Sequence, residues 1–288
     1  MAAVAARVED CLDQVLPQPQ GPEAPLAEAM RYATLGGGKR LRPFLLLETG
    51  RLFGAPENWL VRAGAAVECV HCYSLVHDDL PCMDDDALRR GRPATHVAFG
   101  EAVAVLAGDA LLTLAFDLLA SEECHRDALV RVRLVSALSR AAGAGGMVGG
   151  QMIDMALEGT APARAEVARL QTLKTGALLG FCTEAGALIG GAGGEAARAL
   201  SAFARDLGLV YQIADDLLDA EGSAAEMGKA ARKDAARGKP SLLMGRSPAE
   251  ARAEARALGD AAARQLDLFG ERAKLLKDLA RYALDRRR

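Results

Sequence analysis

The sequence predicts an all-α, single-domain helical bundle, and three observations carry that expectation. Ala, Leu and Val dominate a hydrophobic fraction of 51%, while aromatic residues make up only 4%, and Ala and Leu are strong helix formers. Apolar residues recur with helical period along nearly the whole chain, broken by Gly and Pro. No alternating strand pattern, βαβ rhythm, short repeat or low-complexity linker divides the 288 residues, which read as one domain over 1–288.

Residues 1–16 form a first helix, broken by QPQGPEAP at 18–25. A second runs over 26–35 and stops at Gly36-Gly37-Gly38. Pro43 stands where a helix N-terminus tolerates proline and opens a helix over 43–53. Residues 58–80 make a long helix ended by Pro81. Periodic segments at 99–120, 124–144, 146–158, 164–191, 195–221, 247–266 and 270–286 complete the set. The most lipid-like stretch is Gly176–Gly194. It carries Glu184 mid-span and seven glycines, so it reads as a buried helix ending in a Gly-rich turn and not as a membrane span.

Several function classes recede on composition. The formal net charge is −3 with both signs spread along the chain, so no basic stripe offers a track for nucleic acid. The N-terminus, MAAVAARVEDCLDQ, is acidic by position 9 and lacks a sustained apolar core, unlike a secretion signal. The expected compartment is cytoplasmic. Six cysteines (11, 69, 72, 82, 124 and 182) show no framework spacing. Cys69 and Cys72, with His71 and His77 nearby, lack a second Cys/His pair at zinc-site spacing and read as buried reduced thiols.

The chemistry concentrates in two acidic motifs. In QIADDLLD (212–219), Asp215 and Asp219 stand one turn apart on a helix with Asp216 beside them. Apolar residues flank them, and no basic residue lies between Arg205 and Lys229. Carboxylates in such company are costly unless a cation neutralises them; an exposed acidic patch is the competing reading. In HDDLPCMDDDALRRG (77–91), Asp78 and Asp79 end an apolar helix, Pro81 breaks it, and the longer spacing returns Asp84 to the same side. Oxygen-only ligands suit Mg²⁺, which takes its remaining ligands from substrate phosphates. Two such clusters imply a diphosphate clamped between them. Cationic candidates accompany them: Lys39, Arg40 and Arg42 in GGGKRLRP, Arg89 and Arg90, Lys174 with Thr175 in LKTG, Lys229 and Lys239. Arginine's planar fork matches phosphate oxygens; charge compensation of the aspartates is the competing reading for Arg89 and Arg90.

With GGGKRLRP, HCYSLVHDDLPCMDDDALRRG, GQMID (150–154), KTG (174–176) and YQIADDLLD in this order, the chain resembles the trans-isoprenyl diphosphate synthases. The likeness is greatest to the short-chain bacterial branch that makes farnesyl diphosphate, and covers about residues 27–240. The resemblance implies an all-α bundle around a central cavity, a homodimer, and acidic motifs on facing helices. It assigns Asp78, Asp79, Asp84, Asp215 and Asp219 to Mg²⁺ and, through it, to the allylic diphosphate, helped by Arg89, Lys174 and Lys229. Lys39, Arg42, His71 and Arg90 match positions that bind isopentenyl diphosphate, and Lys239 joins the substrate-binding candidates. Thr175 and Gln212 match residues lining the reacting centre.

In such an enzyme, charge on the departing diphosphate is stabilised by Mg²⁺, Arg and Lys. The allylic cation is attacked by the double bond of isopentenyl diphosphate, and the released diphosphate takes the proton. No side-chain base is required, in keeping with four histidines and no triad-like arrangement. Tyr73 and Ser74 lie one turn before Asp78, where the resemblance places the limit on product length; an aromatic residue at position 73 implies C15, with core packing as the plainer role. The stretch after Lys239, PSLLMGRSP, is shortened relative to the family's pattern, and the terminal Asp-Arg-Arg-Arg reads as a tail more than as a cap on the isopentenyl site. The alternatives are a geranylgeranyl diphosphate synthase and, from another class, a non-catalytic partner subunit. A terpene cyclase fits less well, because DDLLD is all aspartate.

Overall fold

The computed structural model describes residues 1–221 and 241–284, apart from the side chains of Asp219 and Glu221. Lys229, Lys239 and the terminal arginines lie outside the described residues. The all-α expectation holds. The helices are α1 (Ala2–Val15), α2 (Ala24–Thr34), α3 (Leu41–Arg51), α4 (Glu57–Asp78), α5 (Thr95–Phe99), α6 (Glu101–Ala120), α7 (Ala128–Ala142), α8 (Met147–Leu157), α9 (Arg164–Gln171), α10 (Ala177–Ile189), α11 (Gly194–Glu221), α12 (Pro248–Gln265) and α13 (Lys274–Tyr282). The chain groups into two compact units, Met1–Leu138 with Leu188–Gly190, and Ser139–Ala187 with Gly191–Arg288.

In the first unit, α4 is the central helix. Its residues are buried almost all round from Leu60 to Val76, as befits a helix without a polar face. Helix α1 lays Val4, Val8 and Leu12 against α3 and α4. Two glycines set how closely α4 is approached. A Cβ on Gly64 would lie 3.1 Å from Leu47 Cδ1 and 3.3 Å from Pro43, and one on Gly108 of α6 would overlap the His77 ring. Among the described residues, α6 is the helix long and apolar enough to cross a membrane by length and composition. It packs against α2, α4 and α5.

Three sequence expectations need correction here. The helix expected at 43–53 begins at Leu41, after Arg40 in a left-handed conformation (φ 49°), and Pro43 sits inside its first turn. The segment 99–120 is two elements, because Gly100 adopts φ 86° between α5 and α6. A small antiparallel hairpin also occurs: β1 (Leu88–Arg89) pairs with β2 (Arg92–Pro93). Arg90 (φ 53°) and Gly91 (φ 75°) form its two-residue turn, both with positive φ as a type I′ turn demands. Strands of two residues are too short to show alternation.

In the second unit, α9 and α10 are joined without a break by a π-helical turn, Thr172–Gly176. The extra residue in that turn rotates α10 relative to a regular continuation of α9. Helix α11 packs on α12, and Val167, Ile213, Leu217, Leu242, Ala251 and Ala255 form a shared core. Helix α12 starts with a capping box: the Ser247 side chain accepts from Glu250 N–H and the Glu250 side chain accepts from Ser247 N–H at 2.8 Å. The expected 270–286 helix is a 3₁₀ segment, Asp267–Ala273, followed by α13; Gly270 (φ 57°) interrupts the regular geometry.

Candidate active site

The first acidic motif follows directly from how α4 ends. After Asp78 the chain turns back on itself: Asp84 N–H donates to the Asp78 carbonyl at 2.8 Å, and Asp86 N–H to the Asp79 carbonyl at 3.1 Å. Asp84 is thereby brought beside Asp78, and Asp85 takes a left-handed φ of 50° in the loop. Asp79 points elsewhere. Its side chain is only 2% exposed and accepts Arg89 Nε at 3.0 and 3.2 Å, with Arg89 Nη2 on the same carboxylate. Asp86 Oδ2 lies 3.6 Å from Arg89 Nη2. Burial raises the Asp79 carboxyl above its usual range, and the Arg89 bonds and charge counteract it. Asp79 and Arg89, expected on metal and diphosphate respectively, therefore satisfy one another here.

The hairpin carries Arg90 to the glycine loop. Arg90 Nη1 donates to the Gly37 carbonyl, and its guanidinium lies against bare Gly38, where a Cβ would stand 3.1 Å from Cζ. Arg92 stacks 4.0 Å over the Tyr32 ring, and Tyr32 OH donates to the Pro93 carbonyl at 2.8 Å, fastening the hairpin to α2. His71 is held neutral: burial lowers its pKa well below the ordinary value, and the charges of Arg42 and Arg90 lower it further. The structure thus gathers Arg42, His71 and Arg90 around one electropositive spot. Arg42 Nε is buried without a hydrogen-bond partner among the described residues, which fits a site for an anion. Lys39, three residues before Arg42, is exposed.

Arg40, between Lys39 and Arg42, does something else. It is 2% exposed and donates to Glu68 Oε1 at 2.6 Å, Glu9 Oε1 at 3.1 Å and the Thr34 carbonyl at 2.6 Å. It braces α1, α2 and α4, with its Nε left without a partner among the described residues.

In the second unit the π turn presents Lys174 and Thr175 from neighbouring positions. Lys174 Nζ donates to Asp154 Oδ2 at 2.6 Å. Gly150 of α8 lets the turn come close, since a Cβ there would sit 2.6 Å from Lys174 Cα. Thr175 Oγ1 lies 3.4 Å from Gln212 Oε1, and Gln212 Nε2 donates to Asp216 Oδ1 at 2.8 Å. Asp216 also accepts Ser241 Oγ at 2.8 Å and Leu242 N–H at 2.6 Å. Burial raises its pKa, and these three bonds oppose that. Asp215 is half-buried on the same helix, and the Asp219 side chain is outside the described residues.

Two groups escaped the reading of the sequence. Asp154 stands in GQMID, a motif whose chemical role the sequence left blank. Ser241 lies in the shortened PSLLMGRSP stretch and reaches the second acidic motif. The Gln212/Asp216 spacing of four residues was the available signal for the side-chain bond across that motif. Among the described residues, no three acidic, histidine or cysteine side chains converge as a ready metal cluster. Asp78 and Asp84 nevertheless fit Mg²⁺, which needs only one or two carboxylates because it retains water and binds substrate phosphate. Tyr73 and Ser74 lie on α4 ahead of these carboxylates. Tyr73 is buried with its ring edge-on to His77, centroids 5.7 Å apart, and its hydroxyl pKa is pushed up to about 12 by burial and by the Asp78 charge. Ser74 Oγ bonds back to the His71 carbonyl at 2.9 Å.

The chain is similar to known proteins. The polyprenyl synthetase family model matches residues 23–277, continuous through both units. The chain is 45% identical over 273 residues to the farnesyl diphosphate synthase of Escherichia coli, covering 91% of this chain and 89% of that one. It is 46% identical over 208 residues to a chloroplastic geranylgeranyl pyrophosphate synthase of Catharanthus roseus, covering 72% of this chain and 58% of that one. Among solved structures, an FPP/GFPP synthase of Zymomonas mobilis superposes with a TM-score of 0.89 at 46% identity, covering 98% of this chain and 96% of that one.

Proposed function

The chain belongs to the polyprenyl synthetase family, and on that footing we propose that it is a prenyltransferase which condenses isopentenyl diphosphate with dimethylallyl or geranyl diphosphate, giving farnesyl diphosphate and diphosphate. The observation that carries the reading is the folded-back loop that sets Asp84 beside Asp78, at the end of the helix whose His71 feels the charges of Arg42 and Arg90. Similarity to farnesyl diphosphate synthases over nine-tenths of the chain supports it.

In this reading Asp78, Asp84, Asp215 and Asp219 hold Mg²⁺, whose positive charge, when bound, stabilises the developing charge on the leaving diphosphate. Lys174, steadied by Asp154, binds the allylic diphosphate, and Arg89 exchanges Asp79 for phosphate oxygens when substrate arrives. Lys229 and Lys239 serve the same anions. Lys39, Arg42, neutral His71 and Arg90 bind isopentenyl diphosphate. The allylic C–O bond breaks with its electron pair on the diphosphate, the isopentenyl double bond supplies the pair for the new C–C bond, and the proton lost goes to the released diphosphate. Thr175 and Gln212 face the carbon that becomes positive. Further parts of the reading are a single family domain around a central cavity, a cytoplasmic homodimer, and no nucleic-acid or membrane-spanning role.

The test is direct. Purified protein incubated with isopentenyl diphosphate, Mg²⁺ and geranyl diphosphate yields a C15 product on chromatography. Absence of product with every allylic diphosphate would overturn the reading and favour a non-catalytic subunit. The similarity to the plant enzyme favours one second reading, a geranylgeranyl diphosphate synthase; a predominant C20 product would establish it.

A further inference from the structure

Asp216 is the second aspartate of DDLLD, yet its bonds among the described residues run to three neutral donors: the Gln212 amide at 2.8 Å, the Ser241 hydroxyl at 2.8 Å and the Leu242 N–H at 2.6 Å. The Gln212 amide has two ends, and its other neighbour, the Thr175 hydroxyl, can accept from the nitrogen or donate to the oxygen. Thr175 therefore does not choose between the two amide orientations. An ionised carboxylate does choose, because it only accepts. With Nε2 committed to Asp216, Oε1 is the end left to face Thr175, 3.4 Å from Oγ1.

We propose that Asp216 is a positioning residue, which locks the Gln212 amide so that the negative end of its dipole faces the reacting centre and stabilises the allylic cation. The inference rests on the prenyl-transfer reading above. Asp216 and Gln212 lie one turn apart on α11, so the lock is built into a single rigid helix.

Asp216→Asn tests it. The introduced side chain can still accept from Ser241 and Leu242 through its oxygen, but its NH₂ then meets the Gln212 NH₂, and the Gln212 amide must turn round. The expected result is a fall in kcat of roughly 10- to 100-fold, the range for partners that orient a working side chain, with the KM values and the Mg²⁺ dependence little moved. Adding Gln212→Glu to Asp216→Asn keeps the net charge and restores an acceptor toward Thr175, so the double variant recovers kcat above either single variant. Ser241→Ala removes one anchor of Asp216 and lowers kcat by less than Asp216→Asn does.

No recovery in the double variant overturns the proposal. So does a shift of the Mg²⁺ dependence to higher concentration in Asp216→Asn, which makes Asp216 a metal ligand, or a Ser241→Ala defect equal to that of Asp216→Asn. If wild-type protein makes no prenyl product, the functional reading fails, and the lock is judged separately by a double-mutant cycle of thermal unfolding at positions 212 and 216. Strictly additive single effects there overturn it.

Discussion

Arg40 is a cation of the glycine loop that the structure commits to the core, and replacing it gives a quantitative test. Its side chain has no exposure, and the Glu68 carboxylate it holds at 2.6 Å is 2% exposed. Arg40→Met keeps much of the packing of the stem but strands the Glu68 charge in the core. At 2.6 Å the Coulomb attraction is roughly 6 kcal/mol with an effective dielectric near 20, and removing one partner of a buried pair costs about 3–5 kcal/mol once relaxation is allowed for. The bond to the Thr34 carbonyl adds about 1 kcal/mol, whereas Glu9, 40% exposed, recovers its hydration. The total of about 4–6 kcal/mol lowers Tm by roughly 8–24 °C in a chain this long, at about 2–4 °C per kcal/mol. Circular dichroism during thermal unfolding reads it. Glu68→Gln in the same background removes the stranded charge and restores most of the loss, because the desolvation of a lone carboxylate is the dominant cost. An Arg40→Met variant with wild-type Tm and a raised KM for isopentenyl diphosphate would refute this reasoning, since the guanidinium would then be reaching substrate.

Four further outcomes are expected. Tyr73→Ala opens space ahead of the Asp78 loop and shifts the product beyond C15; chromatography that still shows C15 alone would return Tyr73 to a packing role. Asp154→Asn weakens the 2.6 Å hold on Lys174 and lowers kcat/KM for the allylic diphosphate by roughly 10- to 100-fold, with Asp154→Glu retaining more activity than Asn; steady-state kinetics with varied allylic substrate reads the difference. Cys72 and Cys124 are pushed up to about 12 by burial. A thiol raised in the folded state stabilises fully below its unfolded pKa, and that contribution is lost as pH rises through the folded value. Unfolding free energies from denaturant titration should therefore fall between about pH 9 and 12, by on the order of 4 kcal/mol per thiol. At pH 8, exposed Cys82 should alkylate first in the native protein; simultaneous loss of all thiols would contradict the burial.

Local chemistry made much of this legible. The helix ends at Thr34, Asp78 and Leu157 fall within two residues of where Gly, Pro and polarity placed them, because such punctuation acts on the backbone itself. The return of Asp84 to Asp78 was likewise implied by a helix broken at Pro81. The features that failed to show were either short or non-local. Two-residue strands carry no period, and a π turn at Thr172–Gly176 looks like ordinary helix in one dimension. The single break at Gly100 was hidden because the residues on both sides keep helical character. Among the cations, Lys39, Arg40 and Arg42 are indistinguishable in GGGKRLRP; only the burial of Glu68, 28 positions away, tells which one is structural.

The sequence by itself determined the all-α class, the two acidic motifs and the order of basic motifs, since these depend on composition and on spacing along one chain. Tertiary structure decided how each charged group is used. It paired Asp79 with Arg89, Arg40 with Glu68 and Lys174 with Asp154, and it turned Asp216 toward Gln212, Ser241 and Leu242. The reason is that a buried charge must find its partner wherever packing brings one. Sequence separation does not encode that choice.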